Sequence, residues 1–247
     1  MLVSVGRMKT SAPSCRLDPG QTIALAALNA LALNRTFNVG VPIYVYGDRA
    51  EFWYRILTGG ARMCAFTLDG NRHVVDFLRP GDLFGVDARD THEFSAEPII
   101  SGTTVARYRR ETAERLADSD PNVAKIIRKL AFDSTFRAHR RAVILGRATA
   151  LAKVGHFLLE MTDSYIGQRS EVVLPSRYDM ADYLALAVET VSRALTTLRE
   201  KGVIRFSSIR RVQICDRRAL EWALKRNATQ TAGHGWHESV PLGTGRC

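Results

Sequence analysis

Residues 182–204 read DYLALAVETVSRALTTLREKGVI, and this stretch decides the fold of the C-terminal part of the chain. In a helix, residues three and four positions apart share a face, so the stretch divides into an apolar side and a polar side. The apolar side consists of Val191, Leu195 and Leu198. The polar side consists of Glu189, Ser192 and Arg193. Such a helix packs its apolar side on a core and leaves a compact group of charged and hydroxyl side chains in solvent.

The residues around this helix predict a winged helix-turn-helix domain. Ser176, with Asp179 three residues later, is a capping-box arrangement that starts a helix running to Leu184. Residues 185–187 form a tight turn, and the second helix extends over 188–201. The segments VIRF and RVQI then predict a hairpin, and DRRALEWALKR predicts a final helix. Two helices at a tight turn followed by a hairpin describe a winged helix-turn-helix.

The N-terminal half has the pattern of an antiparallel β-roll. A short helix rich in Ala and Leu covers 21–33. After it, glycines recur about eleven residues apart, with FWYRIL, ARMCAFTL and RHVVDFL between them. These glycines are Gly47, Gly59, Gly70 and Gly81. Short strands at this spacing predict a roll or barrel that turns at each glycine and ends near residue 110.

Between these two parts the sequence predicts a long helix. Asp120 is suited to cap it and Pro121 to occupy its first position, and no proline or turn cluster intervenes before Met161. A helix of ~35 residues is longer than about 50 Å, so we expect it to pack against its copy in a homodimer. The alternative is two shorter helices, separated near 139–141 and packed within one subunit.

The positive charge lies in one part of the chain. The protein carries a net charge of +10, with 14 basic and 14 acidic residues in 1–120 but 20 and 10 in 121–226. A neutral N-terminal part joined to a basic C-terminal part indicates that the C-terminal part binds a polyanion. No apolar run approaches the ~20 residues of a membrane span, and the start of the chain lacks the apolar centre of a secretory signal. We therefore expect a cytoplasmic protein without membrane contacts.

Three stretches resemble the Crp/Fnr family of bacterial transcription regulators, and the match covers about residues 20–226. WYRILTGGARM and DGNRHVVDFLRPGDLFG look like the family's β-roll, and SRYDMADYLALAVETVSRALTTLREKGVI looks like its helix-turn-helix signature. The form V-E-T-V-S-R is the Fnr/FixK version; the cyclic-AMP receptor branch has Gly where Ser192 stands. The resemblance implies an α+β protein with an N-terminal antiparallel β-roll of the cyclic-nucleotide-binding type, a long dimerisation helix and a C-terminal winged helix-turn-helix.

The patterns and the resemblance together divide the chain into five parts. They are a flexible N-terminal arm (1–19), a β-roll sensor-like domain (20–120), a dimerisation helix (121–161), a winged helix-turn-helix DNA-binding domain (162–226) and a disordered tail (227–247).

The resemblance makes the polar side of the second helix a DNA-reading surface, and its chemistry agrees. Arg offers two donors suited to guanine O6 and N7, and Glu accepts from the cytosine amino group. The implied site is a TTGAT-N4-ATCAA palindrome, with Glu189 and Arg193 on the G·C pair and Ser192 on a neighbouring thymine. Candidates for contacts with DNA phosphates are Arg177, Arg210 and Arg211. The family commonly has Gly in the turn and Thr or Ser at the cap, whereas this chain has Ala185 and Ala187, which predicts weaker DNA affinity.

The β-roll departs from the residues with which the family binds its cofactors. Val86 stands where the ribose-binding Glu belongs, and Phe94 stands where the phosphate-binding Arg belongs. The oxygen-sensing branch has an N-terminal cysteine cluster, but here only Cys15 lies in that region. The four cysteines form no C-x-x-C pair. We therefore expect neither a cyclic nucleotide nor an iron–sulfur cluster.

A member without either cofactor resembles the FixK branch, which controls microoxic and nitrogen-fixation genes. The resemblance implies a constitutively competent homodimer that binds double-stranded DNA and RNA polymerase, usually as an activator. The candidate polymerase-contact loop consists of Asp69, Gly70, Asn71 and Arg72. Cys215, on the predicted wing hairpin, is a candidate redox-sensitive residue.

Other readings of the sequence lead to three alternatives. The first is a sensor of the same family that is gated by a small ligand or by haem. In the haem-gated form, His73, His92 or Cys64 would bind the iron. A cupin-like metalloenzyme needs an H-x-H pattern with a nearby Glu and a further His, and the isolated histidines do not supply it, so we expect no enzyme. A structural dimerisation module would leave the polar side of the second helix unexplained.

Overall fold

The computed structural model describes residues 19–163 and 171–221. The predicted disordered tail and almost all of the predicted flexible arm lie outside the described residues. Up to residue 120 the elements are α1 (Pro19–Ala30), β1 (Leu33–Phe37), β2 (Phe52–Thr58), β3 (Ala61–Phe66), β4 (Arg72–Leu78), β5 (Leu83–Phe84), β6 (Ser95–Pro98), β7 (Thr103–Arg109) and α2 (Arg110–Ser119). The later elements are α3 (Pro121–Arg147), α4 (Ala150–Asp163), β8 (Glu171–Val173), α5 (Arg177–Leu184), α6 (Val188–Glu200), β9 (Ile204–Phe206) and β10 (Arg211–Ile214). Within these ranges, no helix has the length and apolar character needed to cross a membrane.

The first seven strands form the predicted antiparallel β-roll. They make two sheets, with the strand orders β1-β7-β2-β5 and β4-β3-β6. Ile56 of the first sheet and Ala96 of the second share one core and are both 0% exposed. Gly59 turns the chain between β2 and β3 with φ +82°, and a Cβ there would lie 2.4 Å from Thr103 Oγ1. The predicted first helix ends three residues too late, because α1 stops at Ala30 and the chain is extended in β1 from Leu33.

The predicted single helix over 121–161 is wrong, because the chain forms two helices. Asp120 caps α3 by accepting from Asn122 N at 2.8 Å, as the sequence indicated. The helix ends at Arg147, because the following residue, Ala148, has an extended backbone with ψ 146°. The hydroxyl of Thr149 then accepts from Ala152 N at 3.3 Å, so a new N-cap starts α4. The alternative break near 139–141 is also wrong, since α3 continues through those residues.

The last part of the described chain forms the predicted winged helix-turn-helix. Ser176 caps α5 by accepting from Asp179 N at 3.0 Å. A three-stranded sheet of the order β8-β10-β9 makes the wing, and its outer strand β8 was missed by the sequence analysis. Helix α4 packs with this domain, since Phe157 and Leu158 lie in the same core as the buried side of α6. Structurally, α4 therefore belongs to the winged helix-turn-helix.

Candidate nucleic-acid interface

Helix α6 presents its polar side to solvent and buries its apolar side, as the sequence predicted. Val191, Leu195 and Leu198 are 0%, 1% and 2% exposed. The side chains on the opposite face are exposed, and they are Glu189, Ser192 and Arg193. Because the apolar stripe is seated in the core, the three polar side chains keep a fixed direction relative to the domain. Their donors and acceptors are of the kinds that read base edges in a major groove.

The turn before α6 carries two alanines in positions that other residues usually fill. Ala185 has a left-handed backbone with φ 49°, and it is the single non-glycine residue with positive φ in the described ranges. Such a conformation costs an L-residue roughly 1–2 kcal/mol. Ala187 occupies the N-cap of α6 and makes no side-chain hydrogen bond to it. The start of α6 is thus capped less well than a Ser or Thr would cap it.

A basic pocket of about 270 Å³ lies beside this polar side. The guanidinium carbon of Arg177 lies over the ring of Phe206, 5.3 Å from its centre, and burial lowers the pKa of Arg177. The pocket is lined by Arg177, Ser192, Leu195, Thr196, Arg199 and Phe206. Two guanidinium groups and two hydroxyls with no carboxylate among them suit a phosphate oxygen. Thr196 and Arg199 were missed in the sequence, although they follow Ser192 at spacings of four and seven residues.

The two wing arginines have different surroundings. Arg210 donates to the carbonyl oxygen of Leu174 at 3.0 Å and to that of Ile99 in the β-roll at 3.3 Å. Its guanidinium is thus held by two carbonyl oxygens although the residue is exposed, and its contact with a DNA phosphate stays a prediction. Arg211 is exposed and lies 3.6 Å from Glu171, so a weak surface pair leaves it accessible.

The loop between β3 and β4 is a compact exposed turn. The carboxylate of Asp69 accepts from the Thr67 hydroxyl and the Asn71 amide, and these hydrogen bonds lower its pKa. Arg72, at the end of this turn, is 32% exposed and donates to Asp179 of α5 at 2.8 Å. The contact of this turn with RNA polymerase stays a prediction.

Each histidine singled out in the sequence pairs with a carboxylate in the structure, and the cysteine of β3 is buried. His92 is 1% exposed, lies 2.6 Å from Asp87 and stacks on Tyr44 at 3.7 Å. His73 lies 2.9 Å from Asp182, and Cys64 is buried. Across the described ranges, no group of three or more His, Cys, Asp or Glu could hold a metal ion.

The two positions where the resemblance implies the nucleotide-binding Glu and Arg carry apolar side chains here. Val86 is 41% exposed and Phe94 is half-buried. Beside them, a Cβ on Gly85 would lie 2.8 Å from the Tyr54 ring and 3.3 Å from His92. Neither a carboxylate for a ribose nor a guanidinium for a phosphate stands at these two positions.

Cys215 follows the last wing strand and is exposed. Its Sγ is 4.0 Å from the carbonyl oxygen of Gln213, which is the limit of a weak S–H donor. The thiol is accessible to an oxidant, and its redox sensitivity remains a hypothesis.

Comparison with known proteins agrees with this geometry. The Crp-like helix-turn-helix domain matches residues 152–222, and the cyclic nucleotide-binding domain matches residues 34–120. The chain is 39% identical to the nitrogen fixation regulation protein FixK of Azorhizobium caulinodans over 183 residues, which cover 71% of this chain and 73% of that one. It is 30% identical to the transcriptional activator protein FnrL of Cereibacter sphaeroides over 204 residues, covering 78% and 80%. The structure of FixK2 from Bradyrhizobium japonicum is similar with a TM-score of 0.70 and 35% identity, covering 77% of this chain and 96% of that one.

The order of a β-roll, a long helix and a winged helix-turn-helix is thus shared with proteins of substantial sequence identity over most of the chain. The chain therefore belongs to the Crp/Fnr family, in its FixK-like branch, and is a DNA-binding transcriptional regulator.

Proposed function

We propose that the protein binds TTGAT-N4-ATCAA-like palindromes as a homodimer and activates genes of microoxic growth and nitrogen fixation. The observation that carries this proposal is the exposed group of Glu189, Ser192 and Arg193 on a helix whose other side is buried. Arg193 would bind guanine O6 and N7, and Glu189 would accept from the paired cytosine. The names of the similar FixK proteins support the class of target genes.

The homodimer is proposed from the outer face of α3. Phe132, Phe136 and Val143 are 64%, 64% and 51% exposed, at spacings of four and seven residues. An apolar stripe of this kind on a long helix suits a parallel copy of the same helix. A two-fold dimer also matches an inverted repeat, because each half-site then meets one recognition helix.

The phosphate contacts are proposed for the basic pocket and the wing. The DNA phosphates beside the base-reading residues would bind Arg177, Arg199 and the hydroxyl of Thr196. Arg211 would contact the DNA backbone from the wing. We keep the turn at Asp69 and Asn71 as the proposed contact surface for RNA polymerase. The protein would act in the cytoplasm.

We further propose that the protein acts without a cofactor and without catalysis. Val86 and Phe94 offer no partner to a cyclic nucleotide, and the space beside Gly85 is filled by aromatic side chains. DNA binding would then need no small-molecule effector, as the resemblance to the FixK branch implies.

Fluorescence anisotropy of the purified, additive-free protein tests the proposal. The TTGAT-N4-ATCAA duplex should bind at least about a hundred-fold more tightly than a duplex with both half-sites scrambled. Equal, salt-sensitive binding to both duplexes would contradict the proposed specificity. Selectivity that appears only after a ligand or haem is added would favour a gated sensor instead.

A further inference from the structure

The first helix of the helix-turn-helix is bound to the β-roll by a partly buried charge cluster around Asp179. Asp179 of α5 is 3% exposed, and its two oxygens accept from Arg62 at 2.6 Å and from Arg72 at 2.8 Å. The Ser176 hydroxyl donates to the same carboxylate at 2.8 Å. Burial disfavours the charge, but these hydrogen bonds and the two guanidinium groups lower the pKa of Asp179. The carboxylate is therefore ionised and fully paired. Glu97 holds Arg62 in place at 2.7 Å.

Contacts on both sides of this cluster extend it along α5. Asp182 accepts from the backbone N–H of Val74 and lies 2.9 Å from His73 Nδ1. From the other side, Arg141 of α3 donates to the carbonyl oxygen of Tyr183 at 2.7 Å. Helix α5 is thus fixed by the β-roll and by α3 together.

The apolar core beneath the cluster is continuous between the two domains. Phe77 of β4 packs edge-on against Tyr183, with 4.9 Å between ring centres, and against Phe157, with 5.5 Å. Val74 and Ile99 of the β-roll lie in the same core. Any rotation of the winged helix-turn-helix would expose this surface and separate buried charges, so one orientation is strongly preferred.

The orientation of α5 sets the orientation of α6. The two helices meet at the tight turn through Ala185 and share the core that seats Leu195. A dimer that reads an inverted repeat must hold its recognition helices about 34 Å apart, one turn of DNA. A small rotation of α5 in each subunit would change this separation and prevent both helices from binding at once.

We propose that Arg62, Arg72 and Asp179 are positioning residues for DNA binding. They hold each winged helix-turn-helix on its own β-roll in the one orientation that fits both half-sites. The cluster would thus preorganise the DNA-binding domain through residues of this chain, without the bound effector that could otherwise do so. This inference rests on the proposed function, because it assumes binding to an inverted repeat by a dimer.

The test uses full-length Arg72→Gln, Asp179→Asn and the double variant on three duplexes. The first carries both half-sites with the N4 spacing, the second carries one half-site, and the third carries both with N6. Asn at 179 keeps an oxygen for the Ser176 hydroxyl, so the helix cap is retained. Each variant should lose about ten-fold or more on the first duplex but under about three-fold on the second, within the usual range of coupling between sites. The preference for N4 over N6 should fall, and the double variant should resemble the single ones because both remove the same contact.

Arg115→Gln is the matched control, since it removes one positive charge from an exposed pair with Glu111 in α2. It should leave the spacing preference unchanged. An equal loss on all three duplexes would mean that the cluster only stabilises the fold. Tighter binding by the variants would mean that it holds an inactive orientation, and unchanged binding would mean that it positions nothing. Each of these results overturns the inference. A wild-type protein that does not prefer the palindrome to scrambled DNA would instead show that the proposed function has failed.

Discussion

Arg141 and Tyr183 meet where α3, the β-roll and the DNA-binding domain come together. The guanidinium carbon of Arg141 lies 3.9 Å from the centre of the Tyr183 ring, and Nη2 donates to the Tyr183 carbonyl oxygen at 2.7 Å. The same guanidinium donates to the carbonyl oxygens of Val74 and Val75 in β4. One side chain of α3 therefore satisfies backbone acceptors in both domains.

Arg141→Lys should destabilise the protein by about 2–3 kcal/mol. A single ammonium on a flexible stem cannot reach three carbonyl oxygens and stack on the ring at once, so partly buried acceptors lose their donors. Urea unfolding at neutral pH measures the change. Arg128→Lys, at an exposed position of the same helix, should shift the free energy of unfolding by under about 0.5 kcal/mol. A similarly small shift for Arg141→Lys would show that the contact contributes little.

Arg193→Ala and Arg177→Ala should impair DNA binding in different ways. Loss of a bidentate guanine contact at Arg193 should cost about 1–3 kcal/mol on the palindrome and little on scrambled DNA. Loss of a phosphate contact at Arg177 should weaken binding to both duplexes and reduce the slope of log K against log salt by about 1. Anisotropy titrations at several salt concentrations separate the two effects. Identical profiles for the two variants would refute the assignment of base reading to one and phosphate contact to the other.

Ala187→Thr should tighten DNA binding and stabilise the domain by about 1 kcal/mol. A Thr hydroxyl at this N-cap would accept from an N–H in the first turn of α6, which has no side-chain cap now. The DNA affinity and the melting temperature should rise together. Ala187→Val is the matched control, because it has nearly the same shape without the hydroxyl. Unchanged affinity in Ala187→Thr would count against a role for the cap.

Asp76→Asn should stabilise the protein at pH 7.5 by about 1–3 kcal/mol, since one pKa unit corresponds to about 1.4 kcal/mol. The Asp76 side chain is 19% exposed, and burial raises its pKa from 3.8 to about 6, while Arg137 opposes this rise. The folded state therefore binds the proton more readily than the unfolded state, and ionisation of Asp76 reduces stability as the pH rises through 6. The advantage of the variant should shrink as the pH falls from 7.5 to 4. Urea unfolding across this range measures it, and the exposed Asp118→Asn is the matched control, which should shift the free energy of unfolding at pH 7.5 by under about 0.5 kcal/mol.

Local signals in the sequence were sufficient for most of the elements and for the polar side of α6. The capping pair Ser176 and Asp179, and the apolar stripe through Val191 and Leu195, appear in the structure as predicted. These features depend on hydrogen bonds and side-chain periods within a few residues, and such interactions are visible in a single stretch of sequence. Glu189 could therefore be placed on an exposed helix face before any tertiary contact was known.

The sequence by itself determined the β-roll, the helix-turn-helix and which face of α6 is polar. Only the tertiary structure decided where the long helix breaks and what several arginines bind. Arg72 was assigned to a loop and Arg210 to DNA, yet their partners Asp179 and Ile99 lie more than a hundred residues away along the chain. Such pairings depend on how two domains pack together, and no local periodicity or helix cap predicts that packing. The same packing gives Asp179 two roles, because its carboxylate accepts from the N-cap residue Ser176 and also binds α5 to the β-roll.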